Sequence, residues 1–426
     1  MTTTTPPKKS DAAPSLLAGT VEQPTFGEAV SNYVTKVRGG DMGSLPAVLA
    51  LAVLSLWFVI MKPNSFPSAL NIANLFQQGA VVATIAMGLV FVLLLGEIDL
   101  SAGYASGLCG AILATALTNW GVPWYLAVLF AIITGALIGI VLGLLVAKIG
   151  IPSFITTLAA FLAFQGFLLV IIGNGGNISI YDDTILAIQN KSLPGWLGWL
   201  LGAVAVLAYA AGSVRTWRQR RSVGLLAQPG GMVGLKIGVL AVVVLGGVFV
   251  LNQERSVNPN VTSIKGVPIV VPIIVVLALV LGYILTRTAF GRHIYAVGGN
   301  AEATRRAGIA VSRVRILCFM ICSTLAAFAG IFAASRATSA DPSAGGSNVL
   351  LYAVGAAVIG GTSLFGGKGR IIDALIGGAV IAVIDNGMGL LGYSAGVKYV
   401  VTGSVLVAAA AVDALSRRRA RTTGRI

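Results

Sequence analysis

Apolar residues run along this chain in long blocks, separated by short polar stretches rich in Gly, Asn, Arg and Lys. Twelve blocks can be read, near 45–61, 77–95, 100–118, 123–146, 153–173, 196–213, 233–251, 268–286, 314–334, 348–366, 371–391 and 396–413. A helix needs about 20 apolar residues to cross a bilayer, and most blocks are close to that length. None alternates apolar and polar positions over a long stretch, which argues against a transmembrane β-barrel. The pattern predicts an all-α, polytopic helical membrane protein with about 12 transmembrane segments, some of them broken. The blocks near 77–118 and 348–366 are short and interrupted by glycine.

Composition sharpens this reading. Apolar residues make up 56% of the 426 positions and charged residues only 10%, with a mean hydropathy of +0.91. A soluble domain carries about 25% charge, so a soluble enzyme, a disordered chain and a coiled coil are all excluded. The net charge of +15 is read as topogenic, because basic residues collect on the cytoplasmic side of membrane proteins. Placing the N-terminus inside puts only Lys62, Lys191, Arg255, Lys265, Arg336 and Lys398 outside or near outer span ends. Every other Lys and Arg then falls inside, so both termini are expected in the cytoplasm. Residues 1–44 are polar and read as a disordered cytoplasmic tail, 45–413 as the permeating domain and 414–426 as a basic cytoplasmic tail. The pair of spans at 196–251, joined by an Arg-rich loop carrying the Arg215–Arg221 cluster and a Gly-Gly break, is removable without changing the topology of the rest. The 54 glycines suit close helix packing, and Gly135, Gly139 and Gly143 form a stripe on one helix face. Cys109, Cys318 and Cys322 lie in apolar runs, form no CxxC pair and stand with a single histidine, His293. No metal site, cofactor or catalytic constellation follows from them.

Four stretches carry the chemistry. Gly96-Glu97-Ile98-Asp99-Leu100-Ser101-Ala102-Gly103 places two carboxylates between apolar runs. It reads either as a broken helix lining a pathway or as a turn in which Asp99 caps the next helix. Between 287 and 313 lies the longest polar internal connection. There Asn300 can cap a short helix from Ala301 to about Ala307, ended by Gly308, with Glu302, Arg305 and Arg306 exposed. That helix is either a docking element for a soluble partner or a solvated connection. Ile359 to Gly369 is glycine-rich but lacks the phosphate-loop spacing: Thr362 and Gly369 stand where Gly and Ser/Thr are required. If ATP drives this protein, another subunit binds it. Finally, Asp373, Asp385 and Asn386 lie in the block 371–391. Asp385 is a candidate by virtue of being ionisable within a span, or else a carboxylate near a helix end paired with a hydroxyl or with Lys398.

Taken in order, these motifs resemble those of permease subunits of monosaccharide ABC importers, ribose/xylose-type. The run Gly96–Gly103 is similar to that family's G-G-I-D-L-S-V-G signature, with Glu97 in place of the usual glycine. Ile151-Pro152-Ser153-Phe154-Ile155-Thr156-Thr157-Leu158, the loop Phe290–Ile309 and Gly360-Gly361-Thr362-Ser363-Leu364-Phe365-Gly366-Gly367 agree as well. The resemblance covers about 45–195 and 265–413, and the extra pair at 196–251 is nearest the xylose-type branch. It implies a multi-pass subunit of the plasma (inner) membrane that is not itself an enzyme. Such a subunit would import a monosaccharide, xylose or another pentose, by alternating access. Its implied partners are a cytoplasmic ATP-binding subunit, an extracytoplasmic sugar-binding protein, a second permease copy as a homodimer, and the lipid bilayer; nucleic acid is not among them. Carried over by motif, Gly299, Asn300, Glu302, Ala303, Arg305, Arg306 and Gly308 form the ATPase-coupling loop. Asp99 and Ser101, with Asp385 and Asn386, are the expected translocation-pathway residues. The rival class is an ion-coupled secondary transporter using Asp99 or Asp385.

Overall fold

The computed structural model describes residues 43–173, 176–225, 227–256 and 258–422, together with Thr25, Gly27, Glu28, Ser31 and Thr35. Most of the expected 1–44 tail, the turn at Asn174-Gly175 and residues 423–426 lie outside the described residues. Helices dominate: α1 (Leu45–Met61), α2 (Ala69–Leu94), α3 (Ala102–Thr118), α4 (Trp124–Leu144, with a π-helical turn to Ile149) and α5 (Ser153–Ile172) come first. A two-residue strand β1 (Ile178–Ser179) and α6 (Asp183–Asn190) precede α7 (Gly195–Ser222) and α8 (Gly230–Leu251). Next come α9 (Val270–Arg287), α10 (Ala289–Gly299), α11 (Ala301–Arg306), α12 (Val311–Ala337) and β2 (Ser339–Ala340). The chain ends with α13 (Ser347–Gly360), α14 (Ile371–Leu390) and α15 (Ala395–Thr422). Each of the twelve apolar blocks holds one helix. Among the described residues nine helices are long and apolar enough to cross a membrane, and α1, α3 and α13 are shorter apolar helices.

Several boundaries depart from the sequence reading for physical reasons. α2 starts at 69 because the Ser68 hydroxyl accepts the Asn71 amide hydrogen, capping a polar first turn that hydropathy ignores. α13 stops at Gly360, where Gly361 turns left-handed at φ +116°. Arg215 to Arg221 are not in a loop: α7 carries them in its last two turns, where cations face the negative helix end. Likewise α15 continues to Thr422 instead of ending at 413.

Two units divide the chain, one comprising 201–246 with residues 1–36, the other 37–200 and 247–426. In the first, the hairpin of α7 and α8 is tied by the Trp217 indole N–H and the Lys236 ammonium, both donating to Gln228 at 2.9 and 2.8 Å. In the second, α2, α3, α12 and α14 are the buried inner helices. The glycine stripe of α4 lies against α12: a Cβ on Gly135 would be 2.6 Å from Ser323 O, and one on Gly143 2.6 Å from Ile316 Cα. The stripe therefore serves packing within the chain.

Within this unit the connections gather at two ends. At one, Thr118 Oγ1 donates to Ser179 O, β1 pairs antiparallel with β2, the Leu193 amide donates to Val267 O, and the Arg255 guanidinium donates to Ser192 Oγ and Gly266 O. Glu254 organises the 252–269 loop there. Its carboxylate accepts from Ser263 Oγ at 2.6 Å and from the Ile264 and Ser256 amides. These donors hold it at about 2, well below the usual carboxylate range. At the other end, Ser312 Oγ donates to Ala147 O, Arg315 pairs with Glu97, and Arg370 donates to Ser44 Oγ. Lys148, Arg287, Arg292, Arg305, Arg306, Arg313 and Lys368 lie on segments belonging to this basic end.

Candidate functional site

The four family-like stretches 96–103, 151–158, 290–309 and 360–367, distant in sequence, converge at the basic end. The backbone breaks after α2: Gly96 adopts φ +74° and the chain crosses to α3 through 95–101. Asp99 is fully buried in that crossing, and its Oδ1 accepts from the Ser101 amide at 2.9 Å and the Ser101 hydroxyl at 2.6 Å. This is an Asx turn that starts α3. No N–H or O–H donor reaches Asp99 Oδ2, and the carboxylate lies beside the Cys322 thiol on α12. Ser153 and Thr157 on α5 hold the crossing from outside: the Ile98 amide donates to Ser153 Oγ, and Thr157 Oγ1 donates to Ile98 O, both at 3.3 Å.

From the other side come α10 and the 361–370 turn. Gly298 packs so closely that a Cβ there would collide with Leu94 O and lie 2.8 Å from Gly367 N. The Gly367 amide donates to Leu94 O at 2.8 Å. Gly366, at φ +85°, brings its own backbone against Gly96 and Gly298, with 3.0 Å from an added Cβ to Gly96 N and to Gly298 O. The Tyr295 hydroxyl donates to Gly369 O at 2.7 Å, and burial raises its phenol above the usual range. A second tie is the ion pair between Glu97 and Arg315 at 3.1 Å, with side chains 14% and 27% exposed. The sequence offers Glu97 as one of two carboxylates between apolar runs and as a departure from the usual glycine; its partner lies 218 positions away in sequence and carries no local signal.

The connection 289–309 is a platform on the core. α10 buries Ile294 and Val297 while Arg292 and Ala296 face out. Asn300 Oδ1 accepts the Ala303 amide hydrogen at 2.9 Å and so caps α11, and Thr304 is buried beneath it. Gly308, at φ +83°, ends the turn. Glu302, Arg305 and Arg306 face out, bridged to one another at 3.0 and 3.2 Å. Gly299 meets nothing within 4 Å. The surface pairs add little stability; what they provide is a short charged ridge on a buried base.

Asp385 and Asn386 are elsewhere. Both lie near the far end of α14. Asn386 donates to Gln78 on α2, about 24 Å along that helix from Leu94 at 1.5 Å per residue. The structure thus does not bring Asp99 and Ser101 together with Asp385 and Asn386. Asp385 pairs with Lys398 of α15 at 3.3 Å, the helix-end arrangement that the sequence left open. Arg336 and Tyr352 lie within electrostatic reach of Asp385, and Asn348 Nδ2 donates to the Tyr399 hydroxyl at 2.6 Å. No sequence signal groups these last four residues, because Arg336 and Tyr399 stand at the ends of two different apolar runs and Asn348 and Tyr352 share the start of a third. Among the described residues no group of His, Cys, Asp and Glu is placed to hold a metal ion.

A buried helical core, two opposed ends and a charged ridge mounted on a broken-helix crossing define a multi-pass membrane transport permease. Comparison with known proteins gives the family. The chain belongs to the family described as "Branched-chain amino acid transport system / permease component", matched over residues 71–192 and 192–410. It is 35% identical over 384 residues to the xylose transport system permease protein XylH of Haemophilus influenzae, covering 90% of this chain and 99% of that one. XylH of Escherichia coli K12 is 36% identical over 375 residues (87% and 92%), and the ribose import permease RbsC of the same strain 33% over 382 residues (89% and 96%). No solved structure matches. The relatives are transport proteins and not enzymes, and they place the chain among the ribose/xylose-type permeases.

Proposed function

We propose that the chain is the membrane-spanning subunit of a binding-protein-dependent importer in the plasma membrane and carries a monosaccharide, xylose or another pentose, inward. The observation carrying this reading is the convergence of four separated motifs on one contact. The exposed ridge Glu302–Arg305–Arg306 stands on α10–α11, α10 stands on Leu94 and Gly367, and that contact fixes the crossing which begins α3. A cytoplasmic ATP-binding subunit docks on the ridge. Its closure on ATP moves the platform, and the platform moves the inner helices as units, which is alternating access by rigid-body motion. Two copies of the permease enclose the path, and a sugar-binding protein delivers the sugar to the end opposite the ridge. The excess of basic residues at the ridge end supports placing it in the cytoplasm, with both termini.

The sugar is neutral, so its path calls for hydroxyl, amide and aromatic contacts rather than a charge relay. Asp99, tied through Oδ1 into the turn with Ser101, and Asp385, paired with Lys398, suit that role better than ion coupling. The test is a charge reversal of the ridge. Glu302→Lys with Arg305→Glu leaves the permease folded and in the membrane but lowers recovery of the ATPase subunit with it. Unchanged recovery refutes the docking assignment.

A further inference from the structure

Six side chains from four helices meet at the end opposite the ridge. Arg336 closes α12, Asn348 and Tyr352 lie in the first turns of α13, Asp385 is near the end of α14, and Lys398 and Tyr399 begin α15. Asp385 and Lys398 are linked at 3.3 Å with 42% and 22% of their side chains exposed, and Asn348 donates to Tyr399, itself 45% exposed. Hydrogen-bonding capacity is left over inside the group. Arg336 Nη1 is buried and without a partner; Asn386, beside Asp385 on α14, is turned instead to Gln78 on α2. Buried polar atoms are normally satisfied, and the Arg336 donor suits a ligand that brings hydroxyls.

Lipid tails cannot meet this chemistry, because a half-exposed ion pair among them is costly. A cation is disfavoured, because one carboxylate here faces two cationic side chains. Two tyrosine rings with a carboxylate, an amide, an ammonium and a guanidinium supply acceptors, donors and apolar ring faces together. That combination matches a small neutral polyol. Resting on the importer reading above, we infer that Arg336, Asn348, Tyr352, Asp385, Lys398 and Tyr399 form the mouth where the permease first contacts the sugar released by its binding protein. The ring faces of Tyr352 and Tyr399 take its C–H side, and the charged groups take its hydroxyls.

Cysteine accessibility tests this directly, since Cys109, Cys318 and Cys322 are all buried and give a low background. Asn348→Cys and Tyr399→Cys are made separately in the full chain, with its partner subunits, in native membrane vesicles. A membrane-impermeant methanethiosulfonate is the probe. Both cysteines are expected to label. Saturating D-xylose or D-ribose slows labelling at least about threefold, the free fraction left at twice the dissociation constant, while glycine betaine has no effect. Leu351→Cys, at an exposed apolar position, shows no sugar protection. Failure of both mouth cysteines to label, or labelling indifferent to both sugars, overturns the inference. Sugar uptake by the unsubstituted chain in the same membranes separates the two ideas. Uptake with unprotected cysteines leaves the importer standing and removes the mouth, whereas a wild type that takes up no sugar removes the importer reading itself.

Discussion

Gly298→Ala is the sharpest perturbation of the platform. The added methyl would overlap Leu94 O, lie 3.0 Å from Leu94 C and 2.8 Å from Gly367 N. All three are backbone atoms, so no side chain can rotate away, and α10 must retreat by roughly 1.6 Å or more to reach ordinary contact. Overpacking of this kind costs about 1–3 kcal/mol, and weakening the hydrogen bond from Gly367 to Leu94 adds about 1 kcal/mol. Replacing a helical glycine by alanine returns up to about 1 kcal/mol, so the net loss is about 1–3 kcal/mol. Gly299→Ala is the internal control, because a Cβ there meets nothing within 4 Å and only the propensity gain remains. The assay is thermal unfolding of the purified permease alongside ATP hydrolysis by the reconstituted complex. Gly298→Ala should lower the melting temperature and sever hydrolysis from uptake, whereas Gly299→Ala should match or exceed the parent. Equal behaviour of the two variants would refute the claim that this contact transmits motion.

Other expectations follow from the same geometry. A double-mutant cycle of Glu97→Gln and Arg315→Gln should give a coupling of about 1–2 kcal/mol, between the values for surface and buried pairs; additivity within about 0.3 kcal/mol would show the pair to be inert. Asn300→Ala removes the cap of α11 and should cost about 1 kcal/mol locally, read as weaker ATPase affinity with unchanged membrane levels. Asp99→Ala should reduce uptake more than expression, and normal uptake would reduce Asp99 to a turn residue. Glu254 has its carboxylate depressed in the folded state, so its stabilisation is present above the unfolded value near 4.3 and is lost as pH falls toward about 2. Protection of the Ser256 and Ile264 amides, measured against the intrinsic exchange rate at each pH, should therefore hold from pH 7 to 5 and fall below pH 4, and Glu254→Gln should flatten that fall.

Much of this architecture was legible because a bilayer imposes it. Twelve apolar blocks gave twelve helices, since a chain in lipid has few ways to satisfy its backbone. The cap at Asn300 and the stop at Gly308 were readable because both act within one turn. Ser68 was missed because a polar helix start is invisible to hydropathy, and Arg215–Arg221 were placed in a loop because charge was read as solvent exposure. The opposite-end cluster was least legible. Asp385 was noted as an ionisable group in a span, but Arg336, Asn348, Tyr352 and Tyr399 become a group only when four helix ends meet. The proximity of Gly298 to Leu94 likewise depends on tertiary contact, and a glycine in a helix carries no mark of what touches it.

The importer account is tested most directly by purifying the tagged chain from its native membrane and identifying what accompanies it by mass spectrometry. The account predicts a P-loop ATPase bound in a complex that also captures a sugar-binding protein. A chain recovered without an ATPase, yet competent for uptake that stops when the proton gradient is collapsed, would contradict it and turn attention to Asp385 as an ion-coupling group.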